Sequence, residues 1–234
     1  METRALETSK GTALSERCRV GRGWQLLAGL EVAAAGVTVL ADLLLPTLVL
    51  LAMAAVSLGV RRLGVGSLGL RRPEHGWRLA GQMFVFSFMW TLLSVGLFVP
   101  LANRVTGARQ DLGDFAELEG NLGMLALLIV VSWFLAAFGE EVAYRGYLVT
   151  RLTDALGSSR GAVVVAVLMS SVLFGLAHTE QGAVGVLLSA IDGLAFASLR
   201  LRFGTVWAPV LAHGFINTFG FVAFFFLGPF YGLW

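Results

Sequence analysis

Glu140 and Glu141 are adjacent carboxylates, followed by Arg145, at the end of a run that is apolar from Leu122 to Phe138 except for Ser132. Ionisable side chains at membrane depth are costly and mark functional sites. Two of the three histidines, His178 and His213, also sit in apolar segments, and Asn217 follows His213 by one helical turn. Carboxylates and imidazoles held where water is scarce can take up and release protons, which points to hydrolysis within a bilayer.

On an α-helix Glu141 and Arg145 share one face and can pair. Glu140 lies about 100° around from Glu141, so the two acids are expected to do different jobs. Glu141 is neutralised by Arg145 or orients another side chain, while Glu140 faces a cavity and acts on water. The plainer reading of Glu141 and Arg145 is a helix-end ion pair at the membrane surface. His213 can donate to a forming oxyanion, accept a proton or bind a metal, and Asn217, on its face, can hold the imidazole or a substrate carbonyl. A lone histidine on an apolar helix is usually a satisfied core residue, but two of them on separate helices, with an acid pair on a third, weaken that reading. Phe174, one turn before His178, is either packing or the wall of a pocket. Glu140, His178 and His213 could also hold zinc with a position left open for water. The residues alone leave metal and metal-free chemistry both open.

These groups need helices to carry them through lipid. The chain has 234 residues, 57% of them hydrophobic and only 14% charged. Mean hydropathy is +0.79. That is an integral membrane composition. A single cysteine, Cys18, excludes an intramolecular disulfide and a thiolate metal cage, and a net charge of +2 is too small to argue for nucleic acid. The polar leader, 1–23, reads as a cytoplasmic tail and not as a cleaved signal. The apolar stretch 24–60, interrupted by Asp42 and Pro46, suits two spans near 24–41 and 44–60. Further spans are expected near 79–101, from 122 through the Glu140 region, and over 161–178, 182–199 and 204–227. Backbone groups in lipid must be satisfied within the segment, and no run alternates as barrel strands do, so the fold is all-α: a polytopic bundle of about seven helices. Glu31 and Asp42 are expected near the first turn or facing the bundle, and Asp192 is a candidate to line the cavity.

The segments 61–78, 145–160 and 200–202 carry arginines, as does the tail, whereas 102–120 is acidic. The positive-inside rule therefore puts the N-terminus in the cytoplasm and the C-terminus outside. The simplest organisation is one integrated unit: the tail at 1–23, N-terminal membrane helices and loops over 24–120, and the chemistry-bearing core over 121–234. Gly175, Ala177, Gly193, Ala195 and Ala197 suit close helix packing. One conflict is visible. Straight spans put His178 near the outer end of its helix, about 27 Å from Gly161, and Glu140 in the inner half of another. They meet only if the His178 helix starts later, tilts or is short.

Glu-Glu-x-x-x-Arg at 140–145, Phe-x-x-x-His at 174–178 and His-x-x-x-Asn at 213–217, in that order on successive apolar segments, resemble the CAAX protease and bacteriocin-processing family. Arg145-Gly146-Tyr147-Leu148 and Val206-Trp207-Ala208-Pro209 agree with it, and Leu68-Gly69-Leu70-Arg71-Arg72-Pro73 is similar to bacterial members. The resemblance covers about 125–220, and Tyr144 stands where phenylalanine is common. It implies an intramembrane, glutamate-dependent endopeptidase related to the Ras-converting CAAX prenyl protease. By position, Glu140 would activate water with His178 assisting, and His213 and Asn217 would stabilise the oxyanion. Glu141 and Arg145 would support the site or bind the substrate end. The family favours the metal-free mechanism, with no certain cofactor.

The expected partners are membrane lipid and a peptide or protein segment arriving from the cytoplasmic side, prenylated in the CAAX case. The arginine-rich composition, with a single lysine, suggests a bacterial plasma membrane. The alternatives are a non-catalytic scaffold or bacteriocin-immunity protein that keeps the motifs, and a small proton-coupled transporter. No internal repeat supports the transporter. Oligomeric state is not legible.

Overall fold

Among the described residues, seven apolar helices follow the seven expected spans. The structure, a computed structural model, describes residues 21–43 and 45–228. The tail expected at 1–23, with Cys18, lies almost wholly outside the described residues, as does the C-terminus beyond 228. The helices are α1 (Arg22–Leu40), α2 (Pro46–Arg61), α3 (Gly76–Thr106), α4 (Leu122–Ala155), α5 (Arg160–Leu176), α6 (Gly182–Phe203) and α7 (Trp207–Leu227). There is no strand among the described residues. Five helices are long and apolar enough to cross a membrane, and α2 and α5 are shorter apolar helices of 16 and 17 residues. At 1.5 Å per residue these two cover about 24–26 Å, close to the hydrocarbon thickness. Large apolar side chains such as Leu30, Phe134 and Phe226 are exposed on the outer surface, as lipid requires and water penalises. The chain is a membrane protein with a polytopic helical fold.

Local chemistry sets the helix ends. Pro46 opens α2, where its missing N–H costs nothing. Asn121 caps α4 by accepting from Met124 N at 3.0 Å, and Ser159 caps α5 by accepting from Ala162 N at 3.1 Å. Asp42 sits exposed in the first turn with a positive φ of 46°.

α4 is the axis of the bundle. Its first ten residues are α-helical, but Ser132–Leu148 is wound more widely, in the π form, before α geometry returns at Val149. π-type turns are frequent at functional sites, and this stretch holds both acids and Arg145. α2 packs on the wide stretch, α1 on the last turns of α4, and α7 along it; α3 covers α7. α5 and α6 approach most closely, through Gly175 against Val186 O and Ala190, and through Gly193 against Ser171. A Cβ on Gly175 would lie 2.5 Å from that carbonyl, so the close approach requires glycine there.

One reading is corrected here. Arg145 and Arg151 were counted with a cytoplasmic polar stretch, but α4 runs on to Ala155 and both side chains are buried, at 1% and 2% exposure. Pairing explains it: Arg145 meets Glu141, and Arg151 meets Asp154 and Glu31. Neither is a surface charge. The exposed arginines near them are Arg160, across the turn, and Arg202.

Candidate active site

A cavity of about 450 Å³ lies among α3, α4, α5, α6 and α7. Glu140, Phe174, His178, His213 and Asn217 all line it, so three separate sequence motifs converge on one space. Trp90, Ser132, Asp192 and Phe196 line it too.

Glu140 comes from the wide stretch of α4. Its Oε2 is buried without a hydrogen-bond partner. It lies within electrostatic reach of His178, His213, Glu141 and Arg145. Glu141, the next residue, is fully buried and is not among the lining residues. Its Oε1 accepts from Arg145 Nη1 at 2.9 Å and from His213 Nδ1 at 3.0 Å. The helix-end surface pair is therefore corrected: this pair is internal, and it does what the alternative reading allowed, orienting another side chain. Arg145, like Glu141, is not among the residues that line the cavity.

The imidazoles are both held by Nδ1. Because a carbonyl oxygen only accepts, His178 Nδ1–H donates to Phe174 O at 2.8 Å. Against the Glu141 carboxylate, His213 Nδ1–H donates likewise. In each neutral ring the free lone pair is then on Nε2, the atom left for chemistry. The His213 ring stacks on Phe196, with centroids 4.9 Å apart and planes 18° from parallel. Phe174 lies edge-on to both His178 and His213, at 4.7 and 6.2 Å, and Arg145 places its guanidinium 3.9 Å from the Phe174 centroid. Phe174 is both packing and pocket wall. Asn217 donates from Nδ2 to Ser132 Oγ at 2.9 Å, which fixes its amide.

The expected conflict over His178 resolves mainly through α4, which continues past Glu140 to Ala155, 34 residues in all; α5 keeps close to its expected length and ends at Leu176. Counted from the 156–159 turn that joins them, Glu140 and His178 lie at similar distances along antiparallel helices. Asp192 lines the cavity, its Oδ1 accepting from Trp90 Nε1 at 2.7 Å. Ser132 was visible only as the one polar break in an apolar run. Trp90 carried no signal, because an indole in an apolar helix looks like any core residue.

Zinc was a candidate for Glu140, His178 and His213. Among the described residues no three histidine, cysteine, aspartate or glutamate side chains are grouped to hold a metal ion. Both Nδ1 atoms are engaged, as they commonly are in metal-binding histidines, so the misfit lies in the spacing of the three side chains and not in the ring nitrogens.

Residues 122–219 match the family model described as type II CAAX prenyl endopeptidase Rce1-like. The resemblance read from the three motifs is thereby shown over that segment. The chain is also 27% identical over 143 residues to a Bacillus subtilis (strain 168) protein named "Putative membrane peptidase YdiL". That alignment takes in 61% of this chain and 53% of the relative, so the chain spans about half the length of the curated relative it matches. No solved structure matches it.

Proposed function

We propose that the chain is an intramembrane endopeptidase in which Glu140 activates a water for attack on a peptide carbonyl. The observation that carries this reading is the partnerless Oε2 of Glu140 in the same cavity as His178, His213 and Asn217. Glu140 takes the proton of the attacking water, and His178, with Nε2 free, assists in its transfer. His213, oriented by Glu141, and Asn217, oriented by Ser132, donate to the oxyanion of the tetrahedral intermediate; His213 does so from Nε2 in its protonated form. The proton held by Glu140 then passes to the leaving amine as the C–N bond breaks. No step requires a metal.

The lining also bears on the substrate. Its charged or titratable side chains are Glu140, Glu180, Asp192, His178 and His213; no lysine or arginine is among the described residues that line it. A free C-terminal carboxylate would find no fixed cation there. An internal bond in an apolar segment suits these walls better than a C-terminal tripeptide.

The test is cleavage of fluorogenic and lipidated peptides by the purified full chain in detergent, comparing wild type with Glu140→Ala and His213→Ala, each with chelator and with zinc. The expected result is cleavage by wild type only, unchanged by chelator. Chelator loss restored by zinc would replace this mechanism with a metal-dependent one. No cleavage, with both variants still complementing a deletion strain, would favour the scaffold or immunity reading.

A further inference from the structure

The cavity reaches one end of the bundle, its mouth, where the exposed Glu180 borders it, and stops short of the other end. Its rim residues Gln110, Leu112, Phe115, Glu180 and Gln181 come from the 107–121 loop and the 177–181 turn. These two segments are tied together, Asp111 N donating to Gln181 O at 3.0 Å and Gln110 Nε2 to Gln181 Oε1 at 2.8 Å. From the turns at the opposite end, 62–75, 156–159 and 204–206, no residue lines the cavity. There the Leu68–Arg71 loop is docked across the helix ends. Arg200 Nη2 donates to Leu68 O at 3.1 Å and Thr150 Oγ1 at 3.2 Å, Val206 N to Gly69 O at 2.9 Å, and Thr205 Oγ1 to Arg71 O at 2.8 Å. Gly69 turns the loop at a φ of +87°, with Arg200 and Val206 close around it. The Leu68–Arg71 segment is thus docked across the end of the bundle away from the mouth; a separate pocket of about 500 Å³ there, lined by Arg71, Arg72, Arg78 and Phe203, shares no residue with the cavity.

The two ends also differ in charge. At the far end Arg62, Arg71, Arg72, Arg78, Arg160 and Arg202 are exposed. At the mouth end the exposed arginines among the described residues are Arg104 and Arg109, beside a group of acids that includes Asp114 and Glu117. The arginine count survives the loss of Arg145 and Arg151, and arginine-bearing ends stay in the cytoplasm. The sequence suggested both this orientation and a substrate arriving from the cytoplasm. With the mouth at the arginine-poor end, the two cannot both hold.

We propose that the orientation holds and that the cavity takes its substrate from the extracytoplasmic face: a peptide segment already translocated or anchored in the outer leaflet. This rests on the peptidase reading for the word substrate, but the side of the mouth does not depend on it.

The experiment places single cysteines in the full chain carrying Cys18→Ser: Glu180→Cys at the rim, Ser189→Cys on the cavity wall and Glu74→Cys at the far end. Intact bacterial cells are treated with a membrane-impermeant methanethiosulfonate. Glu180→Cys and Ser189→Cys are expected to react, and Glu74→Cys to react only after permeabilisation. The reverse pattern overturns the orientation. A reactive Glu180→Cys with a Ser189→Cys that reacts only from the cytoplasmic side overturns the mouth. A second arm supplies peptides to sealed membrane vesicles of both orientations. Cleavage only in right-side-out vesicles is expected, and cleavage only in inverted ones overturns the proposal. If neither cleaves while labelling follows the expected pattern, the peptidase reading fails and the outward mouth stands.

Discussion

Two clusters of carboxylate and arginine are buried in this bundle, one around Glu31 and one around Glu141. In the first, Glu31 pairs with Arg61 and accepts from Ser57 Oγ at 3.2 Å. Arg151 lies 3.8 Å away and takes Asp154 at 2.8 Å. Each acid there has a cation, and none of these residues borders the cavity. In the second, Glu141 holds Arg145 and His213 through Oε1 and keeps a partnerless Oε2 away from the cavity, while its neighbour Glu140 keeps its partnerless Oε2 beside the cavity. Buried charge alone therefore does not mark chemistry in this chain. Paired acids join helices, α1 to α2 and α4 in one case and α4 to α7 in the other. An unpaired acid beside a void is free to act on water.

Substitution of the acids breaks or sharpens that contrast, and the largest effect is expected at Glu140. Glu140→Gln should lower peptide cleavage by about 10²–10⁴-fold, the usual contribution of a general base. Thermal unfolding in detergent should be unchanged, because no protein partner is lost. A destabilised Glu140→Gln with proportionate activity would make Glu140 another structural acid. Next, His213→Ala and Asn217→Ala should each cost about 10²–10³ in turnover with KM little altered, as for oxyanion donors. A loss confined to KM would move them to substrate binding.

The paired acids should behave in the opposite sense. Glu31→Gln leaves Arg61 without its carboxylate and should destabilise by about 3 kcal/mol, with turnover per folded molecule unchanged. Glu141→Gln should destabilise similarly and also lower turnover, because it frees His213. A double-mutant cycle separates the two. Glu141→Gln with His213→Ala should be strongly non-additive in turnover, and Glu31→Gln with His213→Ala additive, since only the first pair is in contact.

The helices, and the motif residues that line the cavity, were legible in the sequence because both depend on short-range pattern. Hydropathy located seven apolar helices within a few residues, and residues such as His213 and Asn217 share a face through helical spacing alone. What it missed depends on tertiary partners. Arg151 looks like a loop charge until Glu31, far away in sequence, meets it. Glu141 looks like half of a surface pair until His213 arrives from α7. The π winding of Ser132–Leu148 leaves no compositional trace, and helix lengths on either side of the 156–159 turn, not visible in hydropathy alone, set the depth of His178. The direction of the mouth needed the whole bundle, since its rim comes from two loops more than fifty residues apart in the chain.

The smallest expected effect tests positioning without touching charge. Gly214 follows His213, and a Cβ there would lie 2.6 Å from the Trp133 ring, which donates from Nε1 to Thr218 Oγ1 at 3.1 Å. Trp133 in turn meets Phe215 edge-on, with centroids 5.4 Å apart. Gly214→Ala must therefore push α7 and α4 apart or turn the indole, an overpacking cost of about 1–3 kcal/mol. Because α4 carries Glu140 and Glu141 while α7 carries His213 and Asn217, that separation falls on the distances between the proposed base and the proposed oxyanion donors. Turnover should drop several-fold beyond the loss of folded protein, and Trp133→Phe in the same chain, which removes the bulk of the indole, should restore part of it. The corresponding change at the other cluster, Ser57→Ala, removes its hydrogen bonds with Glu31 and Arg61 and should leave turnover alone. If both changes lowered stability and neither moved turnover, the α4–α7 seam would be scaffolding no different from the α1–α2 seam, and the contrast between the two clusters would rest on Glu140 alone.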